Sequence, residues 1–226
     1  MINFNIKNRL GFSMIELVFA IVVLGILAAL AMPRLDRDIR QEAADNILSA
    51  IRYTQHLALN DDKHRFDTFD WQKRLWQIRF SNFNGGWQYS IWSDLNRGGN
   101  VDILPGTEEM AIDPLDGKNL HSPDNTQDLN ESSDIFLTNN YGITNVTFAG
   151  CTNPVGTVQS IAIHIAFDNL GRPFRGISTA TNNYDRYVTT DCRITFTGGN
   201  SFPGNPIVIR IKRETGYAFI VGQPSS

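Results

Sequence analysis

This sequence has little of what most active-site chemistry requires. Cysteine occurs only at Cys151 and Cys192. The two do not form a C-x-x-C pair, which leaves no cysteine-based zinc site. The four histidines, His56, His64, His121 and His164, show no metal-ligand spacing. No nucleophile stands beside a base in a recognisable pattern, so no catalytic residue and no enzymatic activity are expected. Neither charge sign is in large excess. The formal net charge of -3 argues against a dedicated nucleic-acid binder. There is no internal repeat.

What is present suits a folded chain. At 226 residues, 42% hydrophobic and 19% charged, one domain with a real core plus an anchor is expected. Charge is uneven. Residues 94–134 hold ten acidic side chains against Arg97 and Lys118. From 171 onward Arg172, Arg175, Arg186, Arg193, Arg210, Lys212 and Arg213 face only Asp185, Asp191 and Glu214. Solvated surface is the plain expectation for both stretches.

The strongest signal lies at the start. Residues 1–11 are short and polar, with Lys7 and Arg9 their only charges. The 21 residues 12–32 are apolar except for Ser13 and Glu16. As a helix this run is about 31 Å long, close to the hydrocarbon thickness of a bilayer. The basic residues before it predict that residues 1–11 stay in the cytoplasm. A secretory signal peptide cut near Ala31 and a plain signal anchor are the competing readings. Glu16 weighs against both, because a charge inside a membrane helix costs about 2.5–3.5 kcal/mol. Cleavage after Gly11 would free the amine of Phe12, and that amine on a neighbouring subunit would neutralise Glu16.

The stretch Gly11-Phe12-Ser-Met-Ile-Glu16-Leu resembles the class III signal of type IV pilins and pseudopilins. The resemblance implies that prepilin peptidase cuts after Gly11 and N-methylates Phe12. It implies that Phe12 and Glu16 carry assembly with other pilins or pseudopilins. Pro33 matches the family's helix-bending proline just past the anchor, and is expected to kink or interrupt the helix. The implied location is the bacterial inner membrane, single-pass, with the C-terminal domain in the periplasm, or a pilus or pseudopilus.

Beyond Pro33, Ile39, Ala43, Ile47, Ile51 and Ala58 recur at helical spacing, opposite Arg40, Asp45, Ser49 and Arg52. This predicts an amphipathic half-helix lying on a sheet. Residues 75–83 alternate, and Asn84-Gly85-Gly86 turns them into 87–92 as a hairpin. Residues 93–134 read as a long polar excursion. Strands are expected again at 141–148, 159–167, 187–197, 206–212 and 217–221. The expected class is therefore α+β, pilin-like, a long N-terminal helix packed on an antiparallel sheet. The chain divides into a leader 1–11, a membrane or filament-core helix 12–33, an amphipathic helix 34–60 and an extracytoplasmic β-rich domain 61–226. Ala50-Ile-Arg52, Asp94-Leu-Asn96-Arg-Gly98, Phe167-Asp168-Asn-Leu-Gly171-Arg172-Pro173 and Thr215-Gly216-Tyr217 resemble features of the H-type minor pseudopilins of type II secretion and the related fimbrial T-type minor pilins. The acidic excursion departs from that pattern.

Secondary sites follow. Outside the cytoplasm Cys151 and Cys192 are expected to form a disulfide, two buried thiols being the alternative. Asp94, Asn96, Asn100 and Asp102 place oxygens at alternate positions, like the start of a calcium loop. Pro105 stands where that loop needs a glutamate, so an Asx turn is expected and calcium is the alternative. Arg210, Lys212 and Arg213 offer a basic patch. Such a patch resembles that of minor pilins thought to bind DNA in natural transformation. Without Lys7 and Arg9, however, 18 basic residues face 23 acidic ones, a net charge of -5. Asn130 lies in a short N-glycosylation acceptor pattern.

Overall fold

The computed structural model describes residues 13–65, 67–68, 70–103, 109–151, 162–179, 186–199, 202 and 204–223. Residues 29–38, 162 and 179 are described in their backbone alone. Gly11, Phe12 and Pro105 lie outside the described residues. The chain forms two compact units, Met1–Ile39 and Arg40–Ser226. Helix α1, Met14–Asn60, contributes to both. Its backbone is helical through Pro33, so of the two outcomes expected there, a kink or an interruption, the interruption does not occur. Its missing N–H removes one hydrogen bond of the ladder without ending it.

In the first unit the described side chains of α1 are exposed and almost all apolar. Met14, Ile15, Phe19, Ile21 and Leu24 are each more than 60% exposed. Among these described side chains there is no polar face, the pattern of a helix meant for lipid or for other helices.

In the second unit α1 is amphipathic as its spacing predicts. Ala43, Ala44, Ile47, Leu48, Ile51 and Ala58 are buried, while Asp45, Ser49 and Arg52 are exposed. Strands β1, Trp76–Phe83, and β2, Gly86–Trp92, form the expected hairpin. Asn84 and Gly85 both take positive φ, 49° and 80°, which a two-residue loop matched to strand twist requires. Next come a short helix α2, Leu137–Tyr141, and β3, Ile143–Ala149. They are followed by β4, Ala162–Phe167, β5, Pro173–Arg175, β6, Cys192–Gly198, β7, Ile207–Ile211, and β8, Ala218–Ile220.

The class is α+β with antiparallel strands, as expected, but the strands divide into two four-stranded sheets, ordered β2-β1-β4-β5 and β3-β6-β7-β8. One core joins α1 to both, with Ile47, Ile51, Phe80, Ile194, Phe196 and Ile209 fully buried in it. A smaller cluster, Trp71, Leu75, Ala166, Phe174 and Ile177, fills the other side of the first sheet. Strand β5 was not expected. It is three residues long and opens on Pro173, which suits a strand start but hides the strand from pattern reading.

The excursion is irregular, yet it is built onto β2. Ile91 N donates to Leu120 O at 2.9 Å and Ala111 N to Ile91 O at 2.8 Å. While Asp116, Asp124 and Asp128 are exposed as expected, four of its acids depart from the expectation of solvated surface, Asp94, Glu109, Asp113 and Glu131 being 1%, 3%, 6% and 6% exposed. The reason is that they satisfy loop backbone that has no ladder partner. Glu109 Oε1 accepts from Leu95 N at 2.6 Å, Asp113 Oδ1 from Leu115 N at 2.8 Å, and Glu131 Oε2 from Asp128 N at 3.2 Å. Burial pushes the carboxyls of Asp94 and Glu131 up.

Candidate functional site

Ser13 precedes the first helical residue, and Glu16 stands three residues on. The Ser13 backbone N–H donates to Glu16 Oε2 at 3.0 Å and the Ser13 hydroxyl to the same oxygen at 2.9 Å. Glu16 N donates to Ser13 Oγ at 3.3 Å. This is a reciprocal capping box, in which each residue satisfies a backbone donor that the helix start leaves orphaned. The S-x-x-E spacing was legible in the sequence, but the reading of Glu16 as an intersubunit charge left Ser13 without a role. Within the single chain Glu16 has a partner one peptide away from Phe12.

The surface that follows is apolar on every side. Among the described residues no helix is long and apolar enough to cross a membrane. The apolar run of the sequence, 12–32, extends past the residues whose side chains are described.

Cys151 and Cys192 are joined as a disulfide, with Cα atoms 5.0 Å apart and both residues fully buried. The bond ties the segment after β3 to the first residue of β6.

The Asp94 loop is braced from within. Asp94 Oδ2 accepts from Gly99 N at 2.8 Å, and Asn96 Oδ1 accepts from Gly98 N at 2.6 Å, an Asx turn. Asp102 accepts from the side-chain amides of Asn96 and Asn100 at 2.6 and 2.8 Å. Glu109, which the sequence reading did not single out, supplies the carboxylate that organises the loop backbone from outside the expected register.

The basic residues are only partly free. Lys212 pairs with Asp191 at 3.0 Å, and Arg213 pairs with Glu214 at 3.1 Å and donates to Thr189 O. Arg210 lies directly opposite Arg193 across β6 and β7. Tyr217 and Phe219 stack beside them, with the Lys212 ammonium 5.9 Å from the Phe219 ring.

Asn130 is exposed. Among the described residues no group of three His, Cys, Asp or Glu side chains could hold a metal ion. His121 and His164 are instead structural. His121 Nδ1 lies 3.1 Å from Ser90 Oγ and His164 Nδ1 lies 2.8 Å from Gln77 Oε1. Burial, aided by the nearby Arg79 charge, pushes them down to about 4 and about 3.

Compared with known protein families, residues 6–32 match the prokaryotic N-terminal methylation motif, the signal of type IV pilins and pseudopilins. No curated protein and no solved structure matches the chain.

Proposed function

From that N-terminal signal we propose that the chain is a minor pilin or pseudopilin. Prepilin peptidase cuts it after Gly11 and methylates the Phe12 amine. It is assembled into a type II secretion pseudopilus or a type IV pilus. Before assembly it sits in the inner membrane, its second unit outside the cytoplasm. The observation that carries this reading is the methylation motif over residues 6–32. The all-round apolar surface of residues 14–28 supports it, since neighbouring helices in a filament core can replace lipid around such a helix. The buried disulfide suits an oxidising compartment. The side chains contribute structure rather than catalysis: Glu16 caps its own helix and then neutralises the Phe12 amine of a neighbour.

The test is the intact mass and N-terminal peptide mass of the protein from its native membrane. A chain beginning at methylated Phe12 supports the reading; one beginning at Met1, or cut after Ala31, overturns it.

A second reading, DNA capture by a competence pilin, draws on Arg193 facing Arg210 beside Lys212 and the Tyr217–Phe219 stack. Basic groups beside an exposed Tyr217 and a half-buried Phe219 suit a nucleic-acid backbone and its bases. A salt-sensitive gel shift lost in Arg210→Ala with Lys212→Ala supports it, and no shift at low salt rejects it.

A further inference from the structure

A cavity of about 470 Å³ opens within the second unit, between α1 and the excursion. Four carboxylates line it, those of Glu42, Asp45, Asp113 and Asp134, and no lysine, arginine or histidine does. Three tyrosines, Tyr53, Tyr89 and Tyr141, form aromatic wall, and Ala50, Leu115 and Leu120 add apolar surface.

The polar atoms here are short of donors. Asn46 Nδ2 donates to Tyr141 Oη at 2.9 Å, but Asn46 Oδ1 is enclosed and accepts nothing. Asp134 accepts from Ser133 Oγ at 3.3 Å, and no cation pairs with it or with Glu42 among the described residues. Tyr89 is 3% exposed, and its hydroxyl has no hydrogen-bond partner among the described residues. Asp113 is satisfied by Leu115 N and by Ser132 Oγ at 2.8 Å, and both oxygens of Asp45 accept from the Gln41 side-chain amide at 3.0 Å, so the shortage of donors falls on Asp134 and Glu42. Burial pushes the Asp134 carboxyl up, and Asp113 and Asp116 add to the effect. Tyr141 is pushed up to about 12 by burial and by Asp134. Among the described residues no cation compensates the negative charge of this cleft.

The missing element is a cation rich in donors. A metal ion does not suit the site, because the carboxylates do not converge as ligands. A guanidinium does: it is always charged, offers five N–H donors in one plane, stacks on aromatic faces, and carries an aliphatic stem for the apolar wall.

We propose that this cleft is the receptor for one arginine side chain presented by a partner protein, its guanidinium donating to the Asp134 carboxylate and stacking between the tyrosines. The inference does not rest on processing at Gly11 or on Glu16, which lie in the other unit.

The test is calorimetric titration of the full chain, in detergent micelles, with the peptide acetyl-Gly-Arg-Gly-amide. Saturable one-site binding is expected, weakened by added salt. The isosteric citrulline peptide is expected to bind at least about tenfold more weakly. Asp134→Asn, and independently the exposed Glu42→Gln, are each expected to weaken arginine binding about tenfold, while Asp128→Asn leaves it unchanged. Equal binding of the two peptides, or no response to both cleft substitutions, overturns the proposal. So does tighter binding of spermidine, which would make the site one for free polyamines. Stoichiometric displacement of the peptide by calcium overturns it in favour of a metal.

Discussion

Gly216 and Gly171 are packed so closely that a Cβ on Gly216 would overlap the carbonyl oxygen of Gly171. Both take positive φ, 67° and 77°. The side-chain amide of Gln55 seals the junction, donating to Gly171 O at 2.9 Å and to Thr215 O at 2.8 Å. One residue of α1 thus holds the β4–β5 turn and the β7–β8 turn together. Gly216→Ala is expected to destabilise the fold by about 2–3 kcal/mol, combining left-handed strain with the overlap. Gln55→Ala should cost about 1 kcal/mol. Thermal unfolding followed by circular dichroism checks both; a Gly216→Ala melt at the wild-type temperature contradicts the packing argument.

The capping box makes the cap at Glu16 separable from the assembly role proposed for it. Ser13→Ala removes the reciprocal cap and is expected to cost the helix start about 1 kcal/mol. It should speed amide exchange over residues 14–17 while leaving filament incorporation largely intact. Glu16→Ala should do both, fraying the same turn and abolishing incorporation. Hydrogen exchange in micelles and the amount of protein in sheared filaments read the two effects separately.

The disulfide closes a loop with a sequence separation of 41 residues. A loop of that size is worth about 4 kcal/mol in the chain-entropy account. Replacing Cys151 and Cys192 by serine should lower the denaturant midpoint accordingly, and reductant should then have no further effect on the variant.

Histidine burial sets an acid limb. The folded-state values of His121 and His164, about 4 and about 3, lie below the ordinary value of 6.5. Between those values and 6.5 the unfolded chain binds more protons, so stability should fall as pH drops through that window. Asp94, Glu131 and Asp134 are raised and act in the opposite sense at the lower end of it. The slope of unfolding free energy against pH between 5 and 6.5 should flatten in His164→Gln.

In the Asp94 loop, protein donors already engage Asp102 and Glu109. We expect added calcium to leave the unfolding midpoint unchanged. A midpoint that climbs with calcium concentration would establish a site there.

The sequence by itself determined the elements whose cause is local. The methylation motif, the 21-residue apolar run, the amphipathic 43–58 spacing and the Asn84-Gly85 turn each follow from neighbours a few residues apart. The capping box of Ser13 and Glu16 was equally local, and it went unread because one role for Glu16 had obscured the other. Only the tertiary structure decided the rest. The division of the strands into two sheets depends on pairings between distant segments, such as β1 with β4 and β3 with β6. The burial of Asp94, Glu109, Asp113 and Glu131 depends on which loop amides lack a ladder partner, and charge patterning carries no record of that. The cleft beside Asn46 joins residues from positions 42 to 141. Among the described residues no cation compensates its charge, because folding brings acids together there and leaves the basic residues elsewhere.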